Sequence, residues 1–167
     1  MSEGDYPALT KLEKAFQEKN LSHFTLFLAS SRNLPLLLRV HAVCMLEHIG
    51  DESVIPTLCQ VLSDDPSPLT RHEAAFTLGQ LGYRSAVPAL IKAMLNDKSP
   101  IVRHESAVAL SSIGDDAALP QLEKAIDDED EDVSNSALIA FEYLSYLKRN
   151  RESSPTEEEP SSPKIRL

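Results

Sequence analysis

Glycine, proline and arginine recur in this chain with one period. Gly50, Gly82 and Gly114 stand 32 positions apart, and so do Pro56, Pro88 and Pro120, and Arg39, Arg71 and Arg103. A repeat of this length is one supersecondary unit, too small to bury its own apolar face and stable only when stacked on its neighbours. The chain is therefore expected to fold as an all-α solenoid. Its composition agrees: 42% hydrophobic residues with no Trp, rich in Ala and Leu, favour packed helices over a β-sandwich.

Each unit reads as two helices. In the second unit, Ser67 is placed to cap a helix, Pro68 sits in its first turn, and the helix runs to Leu81 with Gly82 as a left-handed stop. Ser99, Pro100, Ile113 and Gly114 take the same parts one period later. The companion segments VPALIKAML and LPQLEKAI carry Pro88 and Pro120 in their first turns, where a missing N–H costs little. Four helix pairs follow, over 21–49, 52–81, 84–113 and 116–148, with a capping helix within residues 1–20. Residues 149–167, rich in Pro, Ser and Glu, read as a disordered tail.

The formal net charge is −10. That argues against nucleic-acid partners, which need a basic face. It suits a cationic partner or a metal, and it also serves solubility. No apolar run is long enough to span a membrane, and the start, MSEGDYPALT, has no basic-then-apolar leader pattern. Cys44 and Cys59, without metal-ligand spacing, read as free thiols in a reducing, cytoplasmic setting.

The repeat does not need RHE twice, yet RHEAAFTLGQLG begins at Arg71 and RHESAVALSSIG at Arg103. On the helix from Pro68, the stripe Thr70, Ala74, Leu78 and Leu81, with Thr77 at its edge, faces the companion helix. His72 then points away, beside Phe76 and Gly79, with Glu73 one step round. In the next unit Val102, Ser106, Ala109, Leu110 and Ile113 form the stripe, and His104 points away with Val108 and Ser111. Second helices line the concave side of a solenoid and neighbours sit about 8–10 Å apart. His72 and His104 are thus expected to reach one metal ion, with Glu73 and Glu105 beside them and the small Gly79 and Ser111 leaving room for a ligand. Imidazole with carboxylate is a non-haem iron ligand set. On the other reading, the pairs are solvated charge-pairing residues on a scaffold. His23, His41 and His48 read as structural.

These stretches, RHEAAFTLGQLGYRSAVPALIKAM and VRHESAVALSSIGDDAALPQLEKA, resemble the deoxyhypusine hydroxylase family of HEAT-repeat di-iron monooxygenases. In that family each half has four repeats, and the middle two carry His-Glu. Here Arg39-Val40-His41 lacks the pair, Arg71-His72-Glu73 and Arg103-His104-Glu105 have it, and Asn135-Ser136-Ala137 lacks it. The resemblance covers residues 21–148 and implies His72 and His104 as iron ligands, Glu73 as a ligand offered to the iron of an opposing half, and Glu105 as a catalytic carboxylate beside metal or substrate. The family holds two such halves in one chain; this chain has one. The resemblance therefore implies a homodimer through the concave faces, two Fe(2+) per dimer, dioxygen as co-substrate and a basic protein side chain or other cationic substrate.

Two other readings stay open. One is a non-catalytic HEAT-repeat scaffold holding a protein partner; the other is likeness to the short HEAT-like lyases and chaperones of bilin pigments. A Gly-rich phosphate loop, a GxSxG elbow and a CxxC motif are all missing, and Phe76 and Val108 stand where an HExxH zinc site needs its second His.

Overall fold

A computed structural model describes residues 6–29 and 34–153 of the chain, and within them every regular element is helical. A first helix, α1 (Tyr6–Gln17), packs on the first pair. Four pairs follow: α2 (Leu21–Ala29) with α3 (Leu36–Ile49), α4 (Ile55–Asp64) with α5 (Pro68–Leu81), α6 (Val87–Asn96) with α7 (Pro100–Ile113), and α8 (Leu119–Ala125) with α9 (Glu131–Ser153). Helices α3, α5, α7 and α9 stack side by side as one layer, here called the inner layer, and α2, α4, α6 and α8 as the other. The expected solenoid is the observed one.

The periodic residues do local work. Gly50, Gly82 and Gly114 all hold φ near +73° at the ends of inner helices. Gly82 illustrates the role: its N–H bonds the Leu78 carbonyl in a left-handed stop that a Cβ would strain. Pro56, Pro88 and Pro120 occupy the first turn of the outer helices α4, α6 and α8, after short 3₁₀ turns at Glu52–Val54, Arg84–Ala86 and Asp116–Ala118. Between the layers, Leu46, Leu78 and Leu110 face Leu58, Leu90 and Leu122, all fully buried. Each such leucine contributes about 1.5–3 kcal/mol through burial.

The structure corrects three expectations. Ser67 and Ser99 stand at the N-cap positions, but their hydroxyls cap nothing. Instead Asp65 Oδ1 and Asp97 Oδ1 each accept the N–H of the serine two residues on, at 2.8 Å. Next, α9 continues to Ser153, into the segment expected to be a tail, where Arg151 pairs with Asp116. Residues 154–167 lie outside the described residues. Finally, Gly79 leaves no room for a ligand. A Cβ built there would lie 2.8 Å from Ala109 Cα and 2.9 Å from its Cβ, so this glycine is the point where α5 and α7 touch.

The arginine of each motif is structural. Arg39 bonds Asp65 at 2.7 Å. Arg71 makes a two-pronged bond to Asp97, and Arg103 one to Asp128, every prong 2.8 Å. Arg71 and Arg103 also donate to the carbonyls of Asp65 and Asp97. This buried ladder links α5 and α7 each to the loop ahead of it and to the loop ahead of the next inner helix, and Arg39 makes the second of these links from α3. Asp65 and Asp97 keep the 32-residue step, whereas Asp128 comes after 31, because α8 has only seven residues where α4 and α6 have ten.

Candidate functional site

That one-residue slip resets the last repeat. Val133, Ala137 and Ala140, all buried, stand 31 residues after Val102, Ser106 and Ala109. The residues in the place of Arg-His-Glu on α9 are therefore Ser134, Asn135 and Ser136, one earlier than a strict period gives.

His72 and His104 project from adjacent helices into one depression of about 310 Å³, which Pro100, Ile101, Asp130 and Asp132 also line. The two imidazoles expected to share a site are thus brought to one depression. The carboxylates divide differently. Glu105, buried at 9% exposure, lies with Oε2 3.2 Å from His72 Nε2. Glu73 turns the other way, toward α3, where Cys44 Sγ donates to its Oε1 at 3.4 Å. The reason is the stacking: the glutamate position of each repeat leans on the repeat before it. Glu73 meets Cys44, Glu105 meets His72, and Ser136 meets His104.

Ser136 is the site residue that the strict period misses. Its hydroxyl donates to the Asp132 carbonyl at 2.7 Å and lies 2.7 Å from His104 Nδ1. With its one proton committed, the hydroxyl accepts from Nδ1–H. The proton then sits on Nδ1, and His104 Nε2 keeps a free lone pair, the form that ligates a metal. On His72 it is Nδ1 that is buried without a partner, while Nε2 faces Glu105.

Two donors bound at right angles to one ion, each about 2.1 Å away, lie about 3.0 Å apart. The 3.2 Å between His72 Nε2 and Glu105 Oε2 fits that arrangement. A third donor is not in place: among the described residues, no group of three or more His, Cys, Asp or Glu side chains is set to hold a metal. The chain therefore fits a metal in part, with a chelating pair, a second imidazole nearby and positions left open. The thiols do not compete for it. Burial, then the hydrogen bond and charge of Glu73, push Cys44 up to about 11, and burial raises Cys59. His41 and His48 are exposed, and neither belongs to the depression. His23 stacks on Phe27.

The HEAT-repeat model matches residues 55–142, the stretch holding both His-Glu pairs and most of the ladder. The chain belongs to the HEAT-repeat family. No curated protein matches the sequence. Among solved structures, human deoxyhypusine hydroxylase in complex with glycerol superposes with a TM-score of 0.72 at 28% identity. The alignment covers 93% of this HEAT-repeat chain and 51% of the human one, so the chain spans about half that protein's length. Among the described residues, no helix is long and apolar enough to cross a membrane.

Proposed function

We propose that this HEAT-repeat protein is half of a non-haem iron monooxygenase of the deoxyhypusine hydroxylase kind, completed by a facing second copy. The observation that carries the reading is the shared depression: two imidazoles from successive repeats, one paired with a buried carboxylate, in a chain similar to half of a hydroxylase. His72 and His104 would hold iron, and Glu73, turned away from its own chain's imidazoles, is the carboxylate left for the facing copy. Bound iron would supply dioxygen activation for C–H hydroxylation.

The remaining chemistry belongs to the chain. Glu105, with Oε2 3.2 Å from His72 Nε2, is placed to be the second donor to the same ion and keeps negative charge beside the site. Ser136 fixes the tautomer of His104. Asp130 and Asp132 border the depression, so a cationic side chain is the substrate class that the local charge favours. The free thiols of Cys44 and Cys59 suit a reducing, cytoplasmic setting.

The test is iron content after anaerobic loading with ferrous iron. About one iron per chain is expected, lost in His72→Ala and in His104→Ala. Wild-type protein that retains no iron overturns the reading and leaves a protein-binding scaffold. Ser136→Ala probes the tautomer: iron affinity is expected to fall by about 10–100-fold with no change in fold, as for other groups that orient a ligating histidine. Titration with ferrous iron, beside a circular dichroism spectrum, measures both.

A further inference from the structure

The inner layer carries apolar residues that the solenoid leaves uncovered. Leu69 precedes His72 by three residues and Phe76 follows it by four; Ile101 and Val108 flank His104 in the same way. Side chains at these spacings share a helix face. All four are exposed, at 38–47%. On α9 the row that starts at Asn135 continues through Ile139, Tyr143 and Tyr146, exposed at 69%, 49% and 55%. Leu144 is the counterpart of Leu81 and Ile113, so α9 runs nine residues past the point where α5 and α7 end.

That extension differs in charge from the rest. Lys148, Arg149 and Arg151 fall within four positions of a chain with net charge −10. Arg149 follows Tyr146 by three residues and so borders the stripe, whereas Lys148, four residues after the buried Leu144, lies on the other side of α9; both are exposed, and among the described residues no ion pair engages them. The opposite charge is on the same layer, at Asp130 and Asp132 on the border of the depression. An apolar stripe that ends beside a cation, Arg149, on a layer whose exposed apolar residues enclose an acidic depression, is complementary to a second copy of itself.

We infer that the stripe Ile139, Tyr143 and Tyr146, with Arg149 at its edge, anchors a second copy of this chain over the inner layer. The inference rests on the metal reading for its purpose but not for its test. Association would cover Phe76 and Val108 and exclude water from the space around His72 and His104. The stripe lies beyond the metal residues, so it can be altered without touching them.

The test is sedimentation equilibrium of the full metal-free chain from about 1 to 100 µM, the range of micromolar affinities. A two-chain mass is expected. Ile139→Asp with Tyr143→Lys should weaken association by at least about 30-fold, the effect of losing a central anchor. Arg149→Glu should weaken it and reduce its salt dependence, whereas Lys148→Glu, on the other side of α9, should change neither. All of these variants change exposed residues, and unchanged helicity would confirm that they fold. A wild-type chain that stays monomeric to the top of the range overturns the inference, as does a stripe variant that pairs as tightly as wild type. Iron loading separates the two proposals. A two-chain wild type that the stripe variant dissociates, but that takes up no iron, supports the surface and defeats the metal reading. A monomer that binds iron through His72 and His104 defeats the surface and the facing second copy, and leaves only the metal ligands standing.

Discussion

Asp97→Asn is expected to lower the free energy of unfolding by about 3–5 kcal/mol, the cost of removing one partner from a buried ion pair. Asp97 accepts both prongs of Arg71 and the Ser99 N–H, with its side chain only 9% exposed and that of Arg71 14% exposed. The amide keeps the shape but removes the charge, so a buried guanidinium loses its counter-ion and one of its two acceptors becomes a donor. The same carboxylate gives the chain an acid limit. Burial pushes its pKa up, but the bonds from Arg71 and Ser99 and the charges of Arg71 and Arg103 outweigh it, and Asp97 ends below its ordinary value. The Arg103 hydrogen bond, working against burial, depresses Asp128 too. A carboxyl depressed in the folded state binds protons more readily when unfolded. Its contribution is complete above the unfolded value of about 3.9 and disappears as pH falls through the folded one. Wild-type stability should therefore hold from neutral pH down to about 5 and decline steeply below about 4. Asp97→Asn should be weaker at pH 7 with a shallower acid decline. Urea unfolding at a series of pH values measures both, and an equal loss at every pH would contradict the assignment.

The architecture was legible because its signals are local. A glycine that ends a helix and a proline that starts one act within a turn of their own position, so the period of 32 gives element order, boundaries and core leucines directly. Contacts across the stack were less legible. The Arg71–Asp97 bond joins residues 26 apart, and the sequence shows an arginine period without naming its acceptor. Serine at Ser67 and Ser99 looked like a cap until the aspartates two residues earlier proved to accept the N–H groups. Within the site, helical spacing turned both histidines outward correctly, but it left Glu73 and Glu105 equivalent. Only the lean of each repeat on the one before separates them, sending Glu73 to Cys44 and Glu105 to His72. Ser136 was hidden by the short α8, which shifts α9 by one residue against the period. The shift was present in the sequence as Asp128, 31 residues after Asp97, but it carries meaning only once Asp97 is known to bind an arginine.

Gly79→Val is the second large effect, and it connects packing to the site. In isolation, replacing a mid-helix glycine gains stability, about 1 kcal/mol for alanine. Here the new Cβ meets Ala109 Cα at 2.8 Å and Ala109 Cβ at 2.9 Å, and neither atom is the end of a flexible chain. Relief requires the axes of α5 and α7 to separate. Gly79→Ala should therefore lose stability on balance, and Gly79→Val, with two further methyl groups against the same helix, should lose about 3 kcal/mol or more. Helix α5 carries His72, while α7 carries Glu105 and His104. Moving the helices apart lengthens the 3.2 Å contact between His72 and Glu105 and widens the gap between the imidazoles. Ferrous affinity should then fall in both variants, although Gly79 touches no metal and sits nearly two turns from His72. Chemical denaturation and iron titration on the same samples check the link. Stability lost with iron affinity unchanged would mean that the helices part only at the Gly79 end, leaving the spacing at His72 and Glu105 held by the Arg71–Asp97 ladder alone.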